Sequence, residues 1–144
     1  IISTARITHA TPAATYAKSP ERNWESDDKL TDEAKNNGCK DIATELVEFS
    51  YGDGIDVVMG GGRRHFIPNT FTDEEGKTGK RTDGMNLIES WKAKYVSGNY
   101  VYDQASFDAL TADSTTKVLG LFNSSHMEYE ADRVNDIAGD PTTS

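Results

Sequence analysis

Cysteine occurs once in these 144 residues, proline four times and histidine three times. The lone Cys39 excludes an internal disulfide framework, so a fold has to rest on apolar packing. Basic side chains are outnumbered: 15 Lys and Arg against 24 Asp and Glu give a net charge of −9 and a pI near 4.7. That balance repels polyanions and no basic patch offsets it, which excludes a nucleic-acid-binding surface and attraction to anionic membranes. No apolar run approaches the ~18 residues a transmembrane helix needs, and no signal-peptide pattern opens the chain. The apolar fraction of 35% and the mean hydropathy of −0.65 suit one domain with a modest core and much surface.

What is present reads as alternating strands and helices. "IISTARIT" predicts a buried strand over 1–8. Thr11 then offers an N-cap and Pro12 a first helical position for a short helix, "PAATYAK", which Pro20 bars from continuing. In "LTDEAKNNGCKDIATELVEF", Ile42, Leu46 and Phe49 fall on one helical face, and Gly38 divides the segment into two helices. "IDVVMGGG" predicts a buried strand ended by glycines. A long polar stretch leads to a helix in "MNLIESWKAKYV" with Leu87, Ile88, Trp91 and Tyr95 facing inward. "NYVYD" and "TKVLGLF" predict strands on either side of a short helix, "QASFDALT", and the tail is loop. Such alternation is the signature of an α/β domain with a mostly parallel sheet. The opening residues have no initiator Met and read as a strand already under way. The expectation is therefore an internal portion of a single catalytic domain over residues 1–144, incomplete at both ends.

The chemistry concentrates near the start. Ligands collect beyond the C-terminal ends of α/β strands. His9 closes the first predicted strand and Thr11 follows two residues later, on the same side if the chain stays extended. An imidazole and a hydroxyl there suit a metal, directly or through its water. Arg22 lies 13 residues beyond His9 and could grip phosphate with two parallel hydrogen bonds. Taken alone, each has a plainer reading: a structural or surface histidine, a surface arginine. "GGGRRHF" matches neither phosphate-binding glycine spacing and reads as a tight turn followed by a surface basic pair. The acidic runs "ESDDKLTDE" and "TDEEGK" read mostly as solvated faces, with room for a hard cation such as calcium.

The blocks "TARITHATPAATYA", "ERNW", "GCKDIATELV", "IDVVMGGGRR", "RTDGMNLIESW", "YVYD" and "VLGLF" resemble, in order, successive blocks of the alkaline phosphatase family, closest to its animal and marine-bacterial branch. The resemblance implies a three-layer α/β sandwich with a large central sheet. It also implies hydrolysis of phosphate monoesters through a phosphoserine, two zinc ions, a nearby magnesium, a homodimer, and a periplasmic or extracellular location. Carried over residue by residue, Thr11 and His9 match the magnesium site and Arg22 the clamp on phosphate, substrate or product. Glu75, the Phe122 carbonyl and Asp140 match a peripheral calcium site, although Asn123 replaces the acid usual after that Phe. Cys39 matches a cysteine that animal members pair with one lying upstream.

The nucleophilic serine motif and the zinc-ligand clusters of that family have no counterpart in these residues, and Ser114, Ser124 and Ser125 lie in no nucleophile-like context. Two further readings therefore stand beside phosphomonoester hydrolysis: a non-catalytic fragment that binds an anion or a divalent cation, and a related sulfatase or phosphodiesterase.

Overall fold

The computed structural model describes residues 1–111 and 116–130. Among the described residues, four parallel strands form one sheet in the order β1 (Ile2–Arg6), β2 (Val57–Gly61), β4 (Val118–Leu121), β3 (Asn99–Val101). Among the described residues, the connections contain α1 (Ala10–Ala13), a 3-10 turn at Asp27–Lys29, α2 (Asp32–Asn36), α3 (Ile42–Glu48), α4 (Leu87–Lys94) and α5 (Gln104–Asp108). A further 3-10 turn, Arg63–His65, follows β2 directly. The expected α/β class with a parallel sheet is what forms.

The interior strands are β2 and β4, paired in continuous register from Val57 with Val118 to Gly60 with Leu121. Val58, Leu119 and Leu121 are buried between the layers, each fully buried Leu contributing roughly 1.5–3 kcal/mol. Against them pack Ile42, Leu46 and Val47 of α3 and Leu87, Ile88 and Trp91 of α4. The two helices are tied at their ends: Lys94 Nζ donates to the carbonyls of Val47 and Phe49, at 2.9 and 2.6 Å, and so satisfies the last turn of α3. Asp41, Thr31 and Asn86 cap α3, α2 and α4 as N-caps should. Gly38 does divide the second helical segment, at φ 73°.

Two local expectations fail. β1 is an edge strand, paired only with β2, and Ile2 is 76% exposed rather than buried. α1 begins at Ala10, with His9 rather than Thr11 as the N-cap. The chain turns sharply after β1, where His9 N donates to Arg6 O at 2.9 Å, and Ala13 N then reaches His9 O at 2.9 Å. Pro12 is accommodated because its missing N–H would be an orphan anywhere in a first turn. His9 and Thr11 are therefore not successive same-side residues of an extended chain.

Candidate functional site

All four strands run the same way, so the residues that leave their C-terminal ends gather at one edge of the sheet. His9 follows β1, Gly62–Arg64 follow β2, and Asn123–His126 follow β4. The loop beyond α1 folds back to the same edge: Arg22 Nη2 lies 3.2 Å from His9 Nε2. A guanidinium only donates, so Nε2 accepts and the ring proton sits on Nδ1. Arg22 and Thr11 are exposed, and His9 is half-buried with no capping bond to its helix. Tyr16 fixes α1 against the strand end by donating from its buried hydroxyl to Ile7 O at 2.9 Å.

Beneath this surface lies the first acid of "ESDDKLTDE", a run expected to be mostly solvated, and it is largely enclosed. Glu25 accepts from Arg6 Nε and Nη2 at 2.8 and 2.7 Å and from Thr8 Oγ1 at 2.7 Å. Burial works to raise its pKa, but these charge-assisted bonds and the cations around it prevail and lower it to about 2. His65 is buried close by. Arg64 Nε donates to its Nε2 at 3.3 Å, which leaves its Nδ1–H to donate to Ser26 Oγ at 2.9 Å, and Ser26 Oγ–H in turn donates to Asp28 at 2.7 Å. Burial, seconded by the positive charges of Arg64 and Arg6, lowers the pKa of His65 to about 4. His65 is therefore a buried, structural histidine.

His126 joins the edge from the far end of the chain. Its ring lies edge-to-face on His9, with centroids 5.3 Å apart and planes at 66°. Its Nδ1 lies 3.2 Å from Arg6 N and its Nε2 2.5 Å from Arg6 Nη1. Burial and the neighbouring Arg6 and His9 lower its pKa.

The glycine run before these residues has a steric purpose. A Cβ on Gly60 would lie 2.6 Å from Ser3 O, and one on Gly61 would lie 2.0 Å from Ser125 O. The basic pair after it is not a surface pair. Arg63 is fully buried, with Nη1 3.1 Å from Asp73 and 3.4 Å from Glu75, and with Nε donating to Leu121 O at 3.0 Å. Glu75 and the Leu121–Phe122 segment therefore gather around a guanidinium, while Asp140 lies outside the described residues.

Among the described residues, no group of three or more His, Cys, Asp or Glu side chains is arranged to hold a metal ion. What the edge supplies is the exposed Thr11 hydroxyl and the half-buried His9 imidazole on one helical turn. By themselves they are not a magnesium site: residues two apart on a helical turn do not face each other, no carboxylate joins them, and His9 Nε2 is already taken by Arg22, so the ion would need oxygen ligands from beyond the described residues. Nor do they suit zinc, which takes three or four close N, S or carboxylate ligands. No helix among the described residues is long and apolar enough to cross a membrane.

A family model described as alkaline phosphatase matches residues 1–143. A membrane-bound alkaline phosphatase of Bombyx mori is 42% identical over 99% of this chain and 26% of its own length. The tissue-nonspecific isozyme of Homo sapiens is 38% identical over 94% of this chain and 27% of its own. Among solved structures, the alkaline phosphatase of Thermus thermophilus superposes with a TM-score of 0.62 at 30% identity, over 92% of this chain and 21% of its own. The chain thus spans about a quarter of the length of the curated relatives it matches.

Proposed function

Because the chain belongs to the alkaline phosphatase family, we propose that it serves the hydrolysis of phosphate monoesters by holding the phosphoryl group and one edge of the metal centre. The supporting observation is the contact of Arg22 with His9: 13 residues apart in sequence, the two lie 3.2 Å apart at the strand-end edge. One Nη2 hydrogen on His9 fixes the plane of the guanidinium. The remaining N–H groups are left to take two oxygens of a phosphate in parallel, the geometry at which arginine exceeds lysine. Phosphoryl transfer gives the protein little covalent work, so a clamp that fixes orientation and offsets developing negative charge is a main contribution a side chain can make.

By the resemblance, Thr11 would hold magnesium directly and His9 through water, in a site completed by oxygen ligands from outside these 144 residues; when bound, that ion supplies positive charge and ordered water beside the phosphoryl group. The two zinc ions of the family would be held by residues outside these 144, as would the nucleophilic serine. Calcium at Glu75, the Phe122 carbonyl and Asp140 is a second assignment; Glu75 already has Arg63 at 3.4 Å, so a cation there competes with a guanidinium. A homodimer and a periplasmic or extracellular location belong to the same proposal.

Inorganic phosphate inhibition and p-nitrophenyl phosphate turnover test it, on intact protein whose mass is measured alongside. Turnover is expected, with Arg22→Ala weakening phosphate binding about 10- to 100-fold, the worth of lost hydrogen bonds to a charged group. A mass near 15.8 kDa without turnover, or phosphate affinity untouched by Arg22→Ala, would leave the non-catalytic binding fragment as the better account. Sulfate esters turned over well above phosphate esters would instead indicate a sulfatase.

A further inference from the structure

Arg22 reaches forward to His9, but its backbone belongs to a loop, and a clamp is only as well placed as the loop that carries it. The loop is tied on two sides. On one it hangs from α3: Lys18 N donates to Glu45 Oε2 at 2.5 Å, and Trp24 O and Glu25 O accept from Ile42 N and Ala43 N at 2.8 and 3.3 Å. On the other it is tied to the strand by the Glu25 carboxylate, three residues beyond Arg22. Oε2 accepts from Arg6 Nε and Thr8 Oγ1, and Oε1 from Arg6 Nη2, so these three bonds end on the stretch of chain that leads into His9. Ser26 Oγ, 2.9 Å from His65 Nδ1, extends the tie to the turn after β2.

The tie to the strand is firm. Arg6 and Glu25 pair through two bonds, which fix angle as well as distance. Their side chains are 14% and 13% exposed, so solvent screens the pair little. Arg6 is confined from its other side as well. The segment 123–127 crosses the ends of β1 and β2, where Asn123 O accepts from Gly62 N and Met127 N donates to Thr4 O, and it sets His126 Nε2 2.5 Å from Arg6 Nη1.

We propose that Glu25 is a positioning residue for the phosphate clamp: through Arg6 and Thr8 it fixes the Arg22 loop to the strand end, so that the Arg22 guanidinium stands beside His9 and faces a phosphoryl group. This rests on the reading of Arg22 as that clamp. The sign of the effect separates positioning from simple electrostatics. A carboxylate near an anion site repels the anion, so neutralising Glu25 without moving Arg22 would tighten phosphate. Loss of positioning weakens it, and does so only while Arg22 is there to be misplaced.

Binding of inorganic phosphate to the intact protein, by titration calorimetry beside the thermal midpoint, decides the matter across wild type, Glu25→Gln, Arg22→Ala and the double variant. Glu25→Gln is expected to weaken phosphate about 10-fold where Arg22 is present and less than about 2-fold in Arg22→Ala, since a displacement near 1 Å is enough for such a loss. Thr8→Val is the milder companion: it removes one bond to Glu25, keeps the pair with Arg6, and is expected to weaken phosphate about 3-fold, again only with Arg22 present. It decides by itself if Glu25→Gln does not fold. Phosphate bound as tightly or more tightly by Glu25→Gln, or weakened equally with and without Arg22, overturns the positioning role even if the midpoint falls. If Arg22→Ala alone leaves phosphate affinity unchanged, the clamp reading fails instead.

Discussion

Gly61 offers the sharpest test of how the sheet and the site are joined. It lies in β2 with an ordinary backbone conformation, so alanine there costs nothing in torsion. The cost is steric: the new methyl would lie 2.0 Å from Ser125 O and 3.2 Å from Met127 N, both backbone atoms. To restore an ordinary contact the crossing segment must retreat by on the order of 1 Å or more. It can do so only by stretching Met127 N–H···O Thr4, now 2.9 Å, and the bonds of Asn123 O to Gly62 and Arg63. Overpacking of this kind costs about 1–3 kcal/mol and each lost bond about 1 kcal/mol. The chain takes the cheaper combination, so Gly61→Ala should lose about 2 kcal/mol. Urea unfolding should show a lower midpoint with an unchanged slope. Hydrogen exchange adds the fingerprint: the Met127 amide should lose protection. Gly76→Ala is the control. Its φ of 72° carries a left-handed penalty, but nothing lies within 4 Å of the added Cβ, so the Met127 amide should stay protected. A Gly61→Ala protein within about 0.5 kcal/mol of wild type, with Met127 still protected, would refute the crossing as described.

Arg81 is 1% exposed and holds Asp41 bidentately at 3.0 and 3.1 Å, with Asp83 and Thr44 on the same guanidinium. Arg81→Met should therefore cost about 3–5 kcal/mol by leaving the buried Asp41 carboxylate uncompensated, and adding Asp41→Asn should recover part of it; a loss under about 1 kcal/mol in urea would contradict this. His65 is held near pKa 4 in the fold against an ordinary 6.5, so the unfolded chain takes up its proton first as pH falls. Stability should drop by on the order of 1–2 kcal/mol between pH 6.5 and about 5, where Glu25 stays ionised in both states, and His65→Gln should flatten that slope. An identical slope in the variant would show that His65 is not held neutral by the fold.

Elements governed by their own residues were legible. The faces of α3 and α4 follow from spacing, and the short apolar runs of β2 and β4 read as strands because they are too short for a buried helix. What failed depended on distant partners. Residues 1–8 hold three isoleucines, as an interior strand would, yet sheet order, which no local pattern encodes, leaves β1 at the edge with Ile2 exposed. Thr11-Pro12 carries the usual helix-start signal, but the turn at Arg6–His9 starts the helix earlier, and a first-turn proline does not object. Arg63 read as surface because an arginine after glycines normally is; its neutralising Asp73 comes ten residues later, across a loop without periodicity.

The candidate site shows the same division. Thr11, His9 and Arg22 were singled out by the order of motif blocks, since spacing by itself favoured plain surface residues. His126 had no local signal, being 120 residues from the Arg6 it touches. It was nonetheless derivable in principle. Once every strand is taken as parallel, whatever follows each strand must meet at one edge, and the only histidines soon after a strand are His9, His65 and His126. The same step bears on how one edge can meet a small anion. A chain at −9 repels anions on average, but parallel topology brings Arg6, Arg22 and Arg64 to one edge, with Glu25 bonded to Arg6 beneath them. Anion recognition depends on that local sum, because screening confines each charge to about 10 Å at ordinary ionic strength.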